Sequence, residues 1–193
     1  MAQRRLILIT GMTGSGKTTL SGIIRETGLT VVTMGDVIRD LAYQQGLDPS
    51  PENIGRLAED IRKESPDAVA RRCIELIKKS INGLVVVDGI RSLSEVNAFK
   101  DAFMVTLIAV HASPLSRFKR LTRRGRSDDP TTWEEFKDRD NRELGFGIGS
   151  AIASADIMMV NDDGIVRLKE AFLEILESVK EGSHENNDQG SPQ

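Results

Sequence analysis

The sequence predicts an α/β fold of three layers, a five-stranded parallel sheet with helices on both faces. Three observations carry that expectation. Short apolar runs alternate with helical patterns along nearly the whole chain, as in βα units. The runs, such as "LILI" and "LVVV", are near-continuous rather than alternating, as strands buried on both faces are. The first run leads through a glycine-rich turn straight into a helical pattern, "LILITGMTGSGKTTL".

The strands are expected at Arg5–Thr10, Leu29–Thr33, Leu84–Asp88, Phe103–His111 and Asp156–Asn161. Three helix starts are legible in Ser50-Pro51, Ser65-Pro66 and Ser113-Pro114, each a capping hydroxyl followed by a proline suited to the first turn. The first helix carries Ile54, Leu57, Ala58 and Ile61 on one face, and the second carries Val69, Cys73 and Ile77. Both break the strand rhythm, so residues 47–80 read as a helical insertion within a single domain spanning 1–181. On the third, Leu115, Phe118 and Leu121 are expected to face the core. The last helix places Ile165, Leu168, Phe172, Ile175 and Val179 on one stripe. Residues 182–193, "GSHENNDQGSPQ", offer nothing apolar to bury and read as a disordered tail.

Composition narrows the function classes. With 193 residues, 39% hydrophobic and 28% charged, the chain can bury one sizeable core. Its apolar runs are too short to cross a bilayer, and the N-terminal one ends in a glycine loop, which speaks against a targeting peptide. A single cysteine excludes an intrachain disulfide framework and fits a cytoplasmic setting. The net charge of −3 and an aromatic content of 4% rank nucleic acid last among partners. Neither fixes an oligomeric state.

"GMTGSGKT" matches G-x-x-x-x-G-K-[ST] in full, and the physics asks for that arrangement between a strand and a helix. Gly11, Met12, Thr13, Gly14, Ser15 and Gly16 can turn successive amides inward as an anion nest, to which the helix N-terminus adds its positive end. Lys17 reaches the outer phosphates of ATP, and the Thr18 hydroxyl ligates Mg²⁺. Asp88, at the end of the third strand, suits a Mg²⁺ contact through water. Gly89 stands where a motor ATPase carries a water-activating glutamate, no Asn-Lys-x-Asp segment exists to read guanine, and glycines 11, 14 and 16 miss the dinucleotide spacing. A phosphotransferase remains.

Ligands in a parallel sheet gather at the carboxyl ends of the strands. "TMGDVIRD" places Asp36 and Arg39 there, and "DGIR" places Arg91. "RFKRLTRRGRSDD" packs six basic residues into ten positions, among them Arg120, Arg124 and Arg126. An isolated charge run is ordinarily a solvated helix face. This one ends in a glycine-containing loop before a second helix with Arg139 and Arg142, the layout of a phosphate-clamping lid over residues 124–146. His111, with no second ligand at metal spacing, and Cys73, on an apolar face, read as structural. "GFGIGS" lacks a lysine and a preceding strand and reads as a helix-ending turn.

These segments resemble the P-loop nucleoside-monophosphate kinase superfamily. "TMGDVIRD", "DGIR" and "RLTRRGRSDD" resemble segments of adenylate kinase, although Arg39 follows Asp36 at a shorter spacing, "DGIR" lacks a proline, and no long lid arm is present. "HASPLSRFKRLTRRG" and "ADIMMVNDDG" are similar to dephospho-coenzyme A kinase. End to end, Ile9 to Val179 most resembles an archaeal family of P-loop kinase-related NTPases, above all at "MGDVIRD", "DGIRS", "DDPTTWEEF" and "ELGFGIG". The resemblance implies strand order 2-3-1-4-5, with the insertion binding a small phosphorylated acceptor. It further implies a Mg·ATP-dependent kinase in which Lys17 and Arg126 neutralise the transferring phosphoryl, Arg120 and Arg124 join the donor site, and Arg39 and Arg91 grip an acceptor oriented by Asp36. Rival readings of the same residues are an NTP hydrolase and a nucleotide-sensing module.

Overall fold

The computed structural model describes residues 4–79, 83–126, 129–162 and 164–185, with residues 51, 52 and 181–185 described by backbone. The elements run β1 (Arg5–Thr10), α1 (Lys17–Glu26), β2 (Thr30–Thr33), α2 (Met34–Gln44), α3 (Pro51–Glu64), α4 (Ala68–Lys78), β3 (Leu84–Ile90), α5 (Leu93–Ala102), β4 (Met104–His111), α6 (Pro114–Arg124), α7 (Trp133–Gly145), α8 (Ile148–Ala153), β5 (Ile157–Val160) and α9 (Ile165–Glu185). All pairings are parallel, in the order β2-β3-β1-β4-β5.

The apolar runs of β1 and β3 are continuous because neither face of the sheet's centre meets water. Leu6 and Leu8 of β1 point into one cluster with Val85, Val87 and Leu107, covered by α2, α4 and α5. Ile7 and Ile9 point the other way, onto Val86, Ile108 and Val110, beneath Leu20 and Ile24 of α1 and Leu168, Phe172 and Leu176 of α9. Successive side chains of one strand thus feed two separate cores. Each buried leucine or isoleucine contributes about 1.5–3 kcal/mol of transfer free energy.

Ser50 and Ser113 cap as expected, each hydroxyl accepting from the amide three residues on, at 3.3 Å in both cases. Thr132 and Glu135 form a reciprocal capping box at the head of α7.

Several expectations are corrected. Ser65 terminates α3 instead of opening α4, whose N-cap is Asp67, because the Ser65 hydroxyl is drawn to the Asp67 carboxylate at 2.6 Å. The α6 stripe is rotated. Leu115 is exposed and Arg117 takes the inward position, because Asp140 of α7 waits there with a paired carboxylate. Ile165, in the first turn of α9, lies outside the core that Leu168 begins. Helix α9 continues to Glu185, past the expected end at Glu181, as propagating an established helix costs little. Residues 186–193 of the expected tail lie outside the described residues, as do residue 80 of the insertion and residues 127 and 128 of the lid. A short helix, α8, follows the turn at "GFGIGS".

Strand β3 also runs past Asp88 to Ile90. The register against β1 slips between Ile9, opposite Asp88, and Thr10, opposite Ile90, leaving Gly89 as an extra residue at φ 102°. That bulge lets the strand continue after Asp88 has been delivered to the mouth of the sheet.

Candidate functional site

The loop from Gly11 to Gly16 leads from the carboxyl end of β1 into α1, and Asp88 of the neighbouring strand β3 faces the same space as Lys17. Its glycines are required by geometry. At Gly11 (φ 144°) a Cβ would stand 2.3 Å from the carbonyl oxygen of Val110, and at Gly16 (φ 110°) 2.1 Å from Asn161 Nδ2. Helix α1 starts at Lys17 behind Gly16, with no side chain capping its first amides. Such an N-terminus is a ready anion site. The buried hydroxyl of Ser15 is the one buried side-chain oxygen among the described residues with no hydrogen-bond partner. These features fit a phosphate chain.

The underside of the loop is braced. Asn161 Nδ2 donates to the Ser15 carbonyl at 2.8 Å, and Arg120 donates to that carbonyl at 3.4 Å and to the Asn161 carbonyl. Arg117 reaches the Thr13 carbonyl at 3.2 Å while forking onto Asp140 at 2.7 and 2.5 Å, with its guanidinium 4.9 Å from the Phe136 ring centre. Above the apex, the Thr13 amide donates to Glu143 at 3.1 Å and the Thr13 hydroxyl donates to the other oxygen of the same carboxylate.

A lysine kept for a phosphate is expected to point into solvent when the loop is empty, and Lys17 does not. The ammonium folds back on the carbonyls of Gly11 and Met12, the latter at 3.1 Å. Burial lowers its pKa from 10.5 to about 8, against Glu143 and Asp88, which favour the charge. Asp88 is 7% exposed and accepts from the Ser21 hydroxyl at 2.6 Å, which orients the carboxylate. Thr18 is exposed and opens on the same space as Asp88. No group of three or more His, Cys, Asp or Glu among the described residues could hold a metal by itself. The Thr18 hydroxyl and Asp88 carboxylate are hard oxygen donors that fit Mg²⁺, which is ordinarily held by one or two carboxylates plus waters and substrate phosphates.

A cleft of about 950 Å³ runs from this point to the helical insertion. Lys17, Thr18 and Asp88 line one end; Arg39, Arg91 and Arg126 stand along it; Ile54, Gly55 and Ala58 of α3 line the other. Asp36 and Arg39 pair with each other on an exposed turn of α2, so the short spacing noted in the sequence makes them an ion pair. The Arg91 amide donates to Glu95 at 2.7 Å, and Glu95, fully buried, also holds Arg62 of α3 at 2.9 Å. Arg120 and Arg124 do not line the cleft. Arg120 is spent on the carbonyls of Ser15 and Asn161, and Arg124 forks onto Asp129, with Nε at 2.8 Å, which holds the Asp129 carboxyl below its ordinary pKa.

The sequence reading missed Ser21, Asn161, Arg117, Glu143 and the Arg62–Glu95 pair. Asn161 lay inside the quoted "ADIMMVNDDG" and Glu143 headed "ELGFGIG", yet neither segment matches a motif whose chemistry names those side chains. Partnerships across 33 to 146 residues leave no local trace.

Taken together, the sheet order and the loop define a nucleotide-binding P-loop protein of kinase-like fold. A family model described as "AAA domain" matches residues 7–143. Proteins named UPF0200 from Hyperthermus butylicus and Methanocaldococcus jannaschii are 50% and 44% identical, over 83% and 91% of this chain and 87% and 92% of theirs. The chain belongs to the UPF0200 family of archaeal proteins. Among solved structures, TT1252 from Thermus thermophilus matches with TM-score 0.63 at 18% identity, covering 91% of this chain and 97% of that one. Shikimate kinase from Bacteroides thetaiotaomicron matches with TM-score 0.63 at 16% identity, covering 91% and 99%. At such identities the likeness is one of fold. No helix among the described residues is long and apolar enough to cross a membrane.

Proposed function

We propose that this protein is a phosphotransferase that moves the γ-phosphoryl of Mg·ATP to a small phosphorylated metabolite of the nucleoside-monophosphate or dephospho-coenzyme A type. The observation that carries the reading is the continuous cleft joining Lys17, Thr18 and Asp88 to the helical insertion, with five arginines on its walls, Arg39, Arg91 and Arg126 among them. A hydrolase needs room for a water; a cleft of about 950 Å³ has room for a second substrate beside the triphosphate. The shikimate kinase neighbours are kinases by name on the same fold, which lends the reading support by analogy.

In this reading the loop from Gly11 to Gly16 cradles the phosphates with its amides, and the Ser15 hydroxyl gains its missing partner. Lys17 leaves the Gly11 and Met12 carbonyls for the outer phosphates, where with Arg126 it neutralises charge as the phosphoryl transfers. Thr18 and, through water, Asp88 would hold Mg²⁺, which supplies charge neutralisation between the phosphates. Arg39 and Arg91 bind the acceptor's phosphate by their guanidinium forks, and Asp36 orients the acceptor. Residues 124–146 act as the lid and residues 47–80 as the acceptor-binding insertion. The basic segment closes over the donor and limits water, since an open site would hydrolyse ATP.

The test is ADP release from Mg·ATP across a panel of nucleoside monophosphates and dephospho-coenzyme A. Stimulation by one class of acceptor supports the kinase. Turnover that no acceptor changes makes the protein a hydrolase, and tight binding without turnover makes it a sensor.

A further inference from the structure

The apex of the phosphate loop already holds an anion. Glu143, 8% exposed in the last turn of α7, accepts from both the amide and the hydroxyl of Thr13. We infer that Glu143 is an internal competitor of nucleotide phosphate, a carboxylate that latches the end of α7 to the loop until the triphosphate displaces it. The inference rests on the nucleotide reading of the loop and adds the regulation of that site.

Three observations support the latch. First, an anion nest attracts a carboxylate by the same kind of amide donors and helix field that attract phosphate, and among the described residues Glu143 is the only acidic side chain bonded to the loop's apex. Second, Glu143 does not line the acceptor cleft, whereas Asp36, Glu59 and Asp88 do. It is therefore placed to act on the loop and not to take a proton from an acceptor. Of the loop's residues, Lys17 and Thr18 open on the cleft, while the apex lies under Glu143.

Third, α7 has other anchors that survive the release. Arg117 on Asp140 and the stacking of Trp133 on Phe136, with ring centres 5.0 Å apart, tie the earlier turns to α6 and to each other. Only the last turn needs to move, and the chain bends just beyond it at Gly147 (φ 90°). Phe146, three residues after Glu143, lines the acceptor cleft and a smaller cavity beside it. Displacing the carboxylate thus shifts a wall of the acceptor cleft. Loading of the donor loop and shaping of the acceptor site become one event, as expected when one ligand biases a two-state element that the other senses.

The experiment compares calorimetric binding of inorganic tripolyphosphate to the full chain and to Glu143→Gln and Glu143→Asp. A latch closed most of the time lowers apparent affinity by the fraction of open protein, so neutralising it tightens binding ~10-fold. Glu143→Gln keeps the shape and loses the charge, and should tighten binding by that order. Glu143→Asp keeps the charge and should stay near the parent protein. A Gln variant that binds no more tightly, or a pair of variants that tighten alike, overturns the latch while leaving the nucleotide reading intact. No binding by any of the three proteins overturns both. In the unmodified protein, release should also appear as faster hydrogen exchange in the last turn of α7 when tripolyphosphate binds, a readout independent of how the variants fold. Unchanged exchange there contradicts the latch.

Discussion

The phosphate loop and the cleft beside it are built in different ways. Around the loop, backbone groups are fixed by buried partners: Asn161 beneath Ser15, Arg117 against Thr13, and Val110 tight against Gly11. Along the cleft beyond Asp88, Arg39, Arg91 and Arg126 are exposed, and Arg39 pairs with Asp36 one turn away on the same helix. The loop is preorganised for one shape of anion, and electrostatic preorganisation is where catalysis gains most. The cleft is a set of adjustable side chains, and exposed pairs of this kind hold each other weakly, by about 0–1 kcal/mol. Donor binding should therefore be sensitive to single changes of shape or charge, and acceptor binding should be spread over several arginines.

The strongest challenge to that contrast is Lys17→Ala. It should abolish turnover and leave the fold intact, since the ammonium's present partners are two carbonyls that water can serve. Activity retained in the variant would show that the loop is not the donor site. Next is Asp36→Asn, on the adjustable side. If the acceptor presents a hydroxyl, a positioned carboxylate is worth ~10²–10⁴-fold, and kcat should fall by that order with ATP affinity unchanged. If the acceptor is a phosphate, already ionised, the loss should be smaller and partly restored by added Mg²⁺. Steady-state kinetics on both acceptor classes separate these, and a fully active variant removes Asp36 from the mechanism.

A smaller effect follows from Lys17 itself. Because its pKa is lowered to about 8, the empty protein loses the ammonium above that pH. Bound phosphate favours the charged form, so ATP affinity should be flat below pH 8 and fall above it, by up to ~10-fold per unit. The sign for stability is opposite. Between about 8 and the ordinary 10.5 the unfolded chain holds more protons at this group than the folded one, so its contribution to stability rises with pH across that window. Affinity that ignores pH between 7 and about 9 would place the Lys17 charge outside the binding site. The smallest effect is optical. Trp133 packs edge-on against Phe118 at 5.3 Å and stacks on Phe136. Its fluorescence should change when a non-hydrolysable ATP analogue binds with Mg²⁺, and change less in Arg126→Ala. A constant spectrum at saturation argues against closure of this segment.

Much of the phosphate-loop side was legible because its chemistry is local. Eight consecutive residues state the loop, and apolar runs bounded by turns state the strands on either side. Asp88 could be placed from a strand end. The acceptor side was legible only as a set of arginines at strand ends, and what each one touches depends on how helices rotate. Arg117 shows the limit: periodicity put Leu115 inside, and a carboxylate on another helix drew Arg117 inward in its place. Ser65 shows the same at short range, where a neighbouring acid outcompeted the cap. Glu143 was invisible for a further reason: one acid in a helix among 29 acidic residues carries no mark of the loop it will cover.

The most direct test of the account follows the phosphoryl itself. With γ-labelled ATP, Mg²⁺ and a responsive acceptor, the account predicts that label appears on the acceptor in step with ADP, and that little reaches inorganic phosphate when the acceptor is left out. Label that passes to inorganic phosphate at the same rate with and without acceptors would contradict it, and would make the cleft a site for something other than a phosphoryl acceptor.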